Sequence, residues 1–464
     1  MNTIKKVAAY ALFSWLGLLL APNFAVAGIP VVQWTQSSGT RIYLVESPAI
    51  PMVDVRIEFD AGSRRDPLGK EGLASVTAGL LSQGARPSGV PGTGGFSASL
   101  DENALGEAWA DLGASFGASA STDRMGFSLR SLTYPDLLPK AVALAARLIG
   151  EPSFPSDIWQ RNRERIAANI KEANTRPSTL AGRAFAKAVY GNHPYGREVT
   201  EASLAAITLD DMKNLHTSVV APCRAVVTIV GAVNRAQADV MVNQLFAKVK
   251  PLPSMSAQTS LSATCPAWAA VPEIAPLAKS VDEKIAFDSA QAHVLIGQPG
   301  FKRDDPDFFA LTVGNYILGG GGFVSRLYGE VREKRGLSYS VYSYFSPALH
   351  AGAFTLGLQT RPDQANQAVQ VSRDVLAKFV AEGPTAAELQ AAKDNLIGGF
   401  ALRIDTNAKL LDNIANIGWY QLPLDYLDTW TQAVEKVTLT DIKAAFARKL
   451  QPDRMVTVVV GGRS

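Results

Sequence analysis

Apolar and charged residues alternate from Val53 to Phe59, reading Val-Asp-Val-Arg-Ile-Glu-Phe. A period of two puts every second side chain on the same face, so this segment predicts a half-buried strand. The stretch from Gly72 to Leu81 follows a GSRRDP loop, loses the alternation, and predicts a helix of small and apolar residues. The same order returns later in the chain, with a strand predicted from His293 to Gln298 and a helix from Pro306 to Leu318. Asp101 to Gly113 and Gln364 to Glu382 carry the wider spacing of amphipathic helices. Strands and helices mixed in this way predict an α+β fold in which a mainly antiparallel sheet is covered by helices.

The pattern is duplicated. ITLDDMKNLHTSVVAPCRAVVTIVG runs from Ile207 to Gly231, and VTLTDIKAAFARKLQPDRMVTVVVG runs from Val437 to Gly461, 24 positions in each case. Each sets Thr-Leu at the start of a helical pattern, a proline before a basic residue, and a valine-rich strand closed by glycine. Two homologous halves follow, predicted at residues 28–249 and 277–464. Residues 250–276 between them are rich in Pro, Ser and Ala without a period and predict a linker.

Length fits two halves, since 464 residues exceed one ordinary core. With 47% hydrophobic and 19% charged residues the chain has a globular balance. A net charge of +3 and no long basic block give no reason to propose nucleic acid or an anionic membrane surface as partner. Lys5 and Lys6 precede an apolar run from Val7 to Leu20, and Ala25-Val26-Ala27 offers small residues for cleavage before Gly28. Residues 1–27 therefore predict a signal peptide and a periplasmic location. An uncleaved anchor is the alternative, but the run is shorter than the roughly 20 residues that cross a bilayer. In an oxidising compartment Cys223 and Cys265 can form a disulfide; two buried free thiols are the alternative.

The candidate chemistry lies in GGGGFVSRLYGEVREKRGLSY, from Gly319 to Tyr339. Arg332 and Tyr339 stand seven positions apart. They are either a guanidinium and a phenol aimed into a site, or part of a solvated helix face with Glu330, Glu333, Lys334 and Arg335 followed by a core tyrosine. The run Gly319, Gly320, Gly321, Gly322 has no Gly-Lys-Ser/Thr after it and is not a GxGxxG following a strand, which leaves a turn between helices rather than a phosphate cradle. The four histidines, His193, His216, His293 and His350, are far apart in sequence, and no Cys-x-x-Cys exists.

Several phrases taken in order resemble the pitrilysin/insulinase/mitochondrial-processing-peptidase family of zinc peptidases. They are the GSRRDP loop with Glu71 to Ala74, RAFAKAVYGNHPYGR from Arg183, SRLYGEVREKRGLSYSVYS from Ser325, and the repeated VTIVGAV and VTVVVGG ends. The resemblance runs from about Val31 to the C-terminus. It implies a two-halved clamshell and, in active members, a zinc site built on His-x-x-Glu-His plus a later Glu. Ser75, Ala78 and Gly79 occupy the motif positions here, and Asn169, or Ala168 with a one-residue slip, occupies the later one. None supplies a zinc ligand, so no metal or other cofactor is expected in this chain.

The resemblance also maps the family's Arg/Tyr pair onto Arg332 and Tyr339, where the first orients a peptide and the second donates to a carbonyl oxygen. It places the glycine loop beside an inner chamber, where a peptide or partner approaches closely. It assigns substrate pairing to the edge strand matching GASFGASAS from Gly113, with Gly117 where the family has asparagine. Two functions follow. The chain is the non-catalytic subunit of an exported heteromeric zinc peptidase whose homologous partner carries the zinc, or it is a stand-alone pseudoenzyme that binds peptides or scaffolds an envelope complex.

Overall fold

The computed structural model describes residues 28–89, 97–250, 252 and 265–462. The predicted leader lies outside these residues. The first sheet contains β1 (Val32–Thr35), β2 (Arg41–Glu46), β3 (Met52–Phe59), β4 (Ser115–Ala120), β5 (Met125–Leu132) and β6 (Val226–Gly231), in the spatial order β1-β2-β6-β3-β5-β4. The second contains β7 (Val281–Ile285), β8 (Ala292–Pro299), β9 (Ser340–Phe345), β10 (Ala353–Thr360) and β11 (Val456–Val460), in the order β7-β11-β8-β10-β9.

Leaving β1 aside, the two orders superimpose strand for strand. In each, the first pair is parallel (β2 with β6, β7 with β11) and the other three pairs are antiparallel. The duplicated segments fold alike down to single bonds. Thr208 Oγ1 accepts the Asp211 N–H at 3.1 Å while the Asp211 carboxylate accepts that of Thr208 at 2.9 Å, and Thr438 and Asp441 repeat both distances. These reciprocal caps start the Leu209–Val219 and Leu439–Lys449 helices. Each helix then feeds a proline-led turn and the buried strand β6 or β11.

The halves exchange helices. The Asn407–Tyr420 helix of the second half lies on β6 and β3 of the first, packing Leu410, Ile414 and Ile417 against Tyr43, Val226 and Val230. The Pro177–Tyr190 helix of the first half lies on β8 and β11 of the second, setting Ala181, Phe185 and Val189 against Val456 and Val458. At roughly 1.5–3 kcal/mol for each large apolar side chain fully buried, the two contacts outweigh any single cross-link.

This exchange changes the environment of the polar face of β3. Val53, Val55, Ile57 and Phe59 face the core as the alternation predicts, but Asp54 and Glu58 are buried rather than solvated. Arg130 holds Asp54 at 2.7 Å, Arg124 holds Glu58 at 3.0 Å, and Arg56 reaches Asp412 of the exchanged helix at 2.5 Å. Arg124 also donates to Asn416 Oδ1 at 2.8 Å and lies 4.8 Å from the Trp419 ring centre.

Cys223 and Cys265 are joined, with Cα atoms 5.6 Å apart and a sequence separation of 42. Beyond the bridge, Trp268 packs under the guanidinium groups of Arg224 and Arg65, at 4.0 and 5.3 Å. The C-terminal part of the predicted linker is thus pinned to the first half. Replacing both cysteines by alanine is expected to cost about 2–4 kcal/mol, as released loop-closure entropy dictates. Urea unfolding of the double variant against the oxidised parent checks it, with midpoint and slope both read because the freed loop expands the unfolded chain.

Candidate functional site

The helix that carries the degenerate motif is Leu73–Leu81. Gly72 precedes it with φ 101°, a backbone geometry suited to glycine. Asp66 caps it from outside, its carboxylate accepting the N–H groups of Gly72 at 2.8 Å and Ala74 at 2.9 Å. Burial raises the Asp66 carboxyl to about 6, against the opposing pull of those two N–H groups.

Ser75 and Gly79, one helical turn apart, face the Ser156–Ala173 helix across a cavity of about 580 Å³. Ala78 instead points into the core and is 1% exposed. On the opposite helix Asn162, Arg165 and Ile166 line the cavity, while Asn169 and Ala168 are exposed and outside its lining. A hydroxyl, a methyl, a glycine hydrogen and an amide do not fit zinc, which takes thiolate, imidazole or carboxylate ligands. Among the described residues no three His, Cys, Asp or Glu side chains gather for a metal ion.

Two histidines distant in sequence do meet in the fold, His193 and His350, with ring centres 5.2 Å apart. His193 Nδ1 accepts the Tyr195 N–H at 3.1 Å and Nε2 donates to the Pro272 carbonyl at 3.0 Å, so both ring nitrogens are committed. His350 Nδ1 lies 3.1 Å from Glu273. The purified chain is therefore expected to hold no stoichiometric zinc and to cleave no peptide alone. Elemental analysis, with a chelator-sensitivity assay, checks both; one tightly held zinc per chain with chelator-sensitive hydrolysis would reverse the assignment.

Arg332 and Tyr339 come together, the guanidinium carbon 4.4 Å from the Tyr339 ring centre. Of the two carboxylates on the expected solvated face, Glu330 is taken by Lys334 at 2.6 Å and Arg335 at 2.7 Å, and Glu333 forms no ion pair among the described residues. Those two cations hold the Glu330 carboxyl below its usual range. Arg332 is left among aromatic rings instead, with Tyr328 at 4.7 Å and Phe323 at 5.8 Å. Tyr339 precedes β9 and is 81% exposed, not core. A guanidinium held by rings and without an ion pair among the described residues has donors to offer a carbonyl or carboxylate.

Backbone geometry places this pair. The turns at Tyr316–Gly320 and Tyr328–Glu333 are widened, with Gly321 N–H bonded to the Tyr316 carbonyl at 2.7 Å and Lys334 N–H to the Gly329 carbonyl at 3.0 Å, five residues apart. Gly336, with φ 62°, ends the second turn and swings the chain back so that Tyr339 reaches Arg332. The close approach made possible by the glycine run is to the chain itself. A Cβ on Gly319 would sit 2.5 Å from Ser343 Oγ, one on Gly320 2.8 Å from the Asn315 amide, and one on Gly321 2.7 Å from the Tyr316 carbonyl; Gly322 has φ 61°. The other expected substrate contact, β4, is a sheet edge on which Gly117 has room for a side chain, its nearest neighbour being Ser128 Oγ at 3.5 Å.

The sequence reading missed a hub between the halves. Asp123, buried, accepts the Tyr195 hydroxyl at 2.7 Å and the Leu349 N–H at 3.3 Å, and its Oδ1 lies 3.2 Å from Arg64 Nε. Tyr195 in turn accepts the His350 N–H at 3.2 Å. Burial, then the Asp123 charge, pushes the Tyr195 hydroxyl above its ordinary range, so it stays a neutral donor. The only sequence signal was the phrase holding His193 and Tyr195, which marked a resemblance without indicating a role.

Residues 41–203 match the model for insulinase, peptidase family M16, and residues 206–396 match that for the peptidase M16 inactive domain. A non-peptidase homolog, YmxG of Helicobacter pylori, is 26% identical over 405 residues, with 86% of each chain covered. An uncharacterized zinc protease of Streptomyces coelicolor is 27% identical over 431 residues, covering 92% of this chain and 88% of the relative. The crystal structure of a peptidase M16 inactive domain from Pseudomonas fluorescens is 34% identical with a TM-score of 0.82, covering 94% of this chain and 98% of that one. With both halves matched and the zinc positions held by residues that cannot ligate it, the chain belongs to the insulinase family, peptidase family M16, as an inactive-type member.

Proposed function

We propose that this chain is the non-catalytic subunit of an exported heteromeric zinc metallopeptidase. Arg332 and Tyr339 enter a site whose zinc is bound by a homologous partner chain carrying His-x-x-Glu-His, and the pair together degrades or processes peptides. The observation that carries this reading is the pairing of a half-buried Arg332 with an exposed Tyr339, held by aromatic neighbours and with no carboxylate partner for Arg332 among the described residues. A scaffold has no use for a guanidinium and a phenol presented together. A docked peptide places its carbonyl or carboxylate on the fork of Arg332, and the Tyr339 hydroxyl donates to the carbonyl oxygen where negative charge develops.

The leader predicted at residues 1–27 supports a periplasmic site of action, and the bridge between Cys223 and Cys265 suits that compartment. Peptide hydrolysis by this chain mixed with a zinc-bearing relative, each alone being the control, tests the proposal. Hydrolysis is expected only from the mixture. A relative equally active without this chain would remove the subunit role and favour a stand-alone peptide-binding or scaffolding pseudoenzyme.

A further inference from the structure

The cavity between the Leu73–Leu81 and Ser156–Ala173 helices has a chemistry of its own. Val76, Ile158, Trp159 and Ile166 make its walls apolar. At its mouth Arg161 is partly neutralised by Glu102 at 3.7 Å and Asp157 at 3.8 Å. Arg165, also lining it, has a hydrogen-bond contact only to Asn162 Oδ1, at 3.4 Å, and no carboxylate partner among the described residues. The cavity therefore offers one unneutralised guanidinium beside an apolar space.

Gly79 lines this cavity, and packing does not require a glycine there. Its φ is not positive, and a Cβ there would meet nothing within 4 Å. Packing does require a glycine at position 314, where a Cβ would sit 2.4 Å from Phe446, whereas Gly106, Gly182 and Gly398 are as open as Gly79, which differs from them in lining this cavity. A glycine inside a helix costs roughly 0.5–1 kcal/mol relative to alanine. At Gly79 the return on that cost is open volume, and Ser75, one turn earlier, is also small.

We propose that this cavity binds the carboxyl end of a peptide whose last residue is large and apolar. The side chain enters between the two helices, and the terminal carboxylate takes parallel hydrogen bonds from the guanidinium of Arg165. Ser75, Gln83 and Asn162, all lining the cavity, supply a hydroxyl and two amides for the peptide groups just before the terminus. A fatty acid shares the apolar carboxylate but lacks those groups, which favours the peptide. The site lies wholly within this chain and needs no partner, so its failure would leave the subunit role untouched.

Isothermal titration of the mature chain with acetyl-Ala-Phe, its C-terminal amide and decanoate tests the assignment. The free acid is expected to bind saturably and about ten-fold or more tighter than the amide, the margin of one charge-assisted contact. Arg165→Ala is expected to abolish that margin, and Gly79→Leu to abolish binding of both peptides without lowering the thermal midpoint. Three results would overturn the site: no saturable binding, equal affinity for acid and amide, or undiminished binding by a folded Gly79→Leu variant. Tighter binding of decanoate than of the peptide acid would overturn the peptide assignment. Should Gly79→Leu fail to fold, Arg165→Ala on the exposed helix face decides.

Discussion

Tyr339→Phe is expected to leave an assembled pair with its zinc-bearing relative intact and to lower kcat by about ten- to a thousand-fold, the range for loss of one oxyanion donor. The change removes a single hydroxyl from a side chain that is 81% exposed, so stability has almost no stake in it. The phenyl ring remains to pack against the Arg332 guanidinium, 4.4 Å away, which keeps the loss specific to the donor. Arg332→Ala is expected to act on kcat/KM, as the proposed role of its guanidinium in positioning substrate implies. It also removes the cation around which Phe323, Tyr328 and Tyr339 gather, so circular dichroism must first show an unchanged fold. Hydrolysis unaffected by both substitutions in a fully assembled complex would end the subunit reading.

Asp123→Ala is expected to cost about 3–5 kcal/mol, the penalty for leaving a buried charge without its partner. Arg64 is 4% exposed and keeps Asp60, which binds both its terminal nitrogens at 2.6–2.7 Å, so the loss falls at the lower end of that range. The Tyr195 hydroxyl and the Leu349 N–H lose their acceptor in the same step, and the contact between the halves loosens with them. Urea unfolding measures the cost. A double-mutant cycle with Tyr195→Phe separates the shared bond, since residues in one network do not add. A cost below about 1 kcal/mol, the worth of one ordinary hydrogen bond, would show that the hub is not a structural keystone.

What the sequence disclosed follows from what is local in it. The core face of β3, the helix starts at Thr208 and Thr438, and the equivalence of β6 with β11 are properties of short segments, and each was legible before any contact was known. The burial of Asp54 and Glu58 was not legible. The helix that covers them begins at Asn407, and no period in β3 records a neighbour that distant in sequence. The site divides the same way. The motif positions and the Arg332–Tyr339 pair were found by spacing and resemblance. The rings around Arg332, the meeting of His193 with His350, and the Asp123 hub arise from widened turns and contacts between the halves that carry no sequence signature.

The exchanged helices set the order in which this chain can mature. Tyr43, Val226 and Val230 remain bare until residues 407–420 arrive, late in a chain of 464. An N-terminal fragment ending in the linker would present that strip to solvent and invite aggregation. The C-terminal fragment alone would leave Val456 and Val458 without Phe185. A gene split at residues 250–276 is therefore expected to give soluble protein only when both pieces are made together, each serving as the other's folding template.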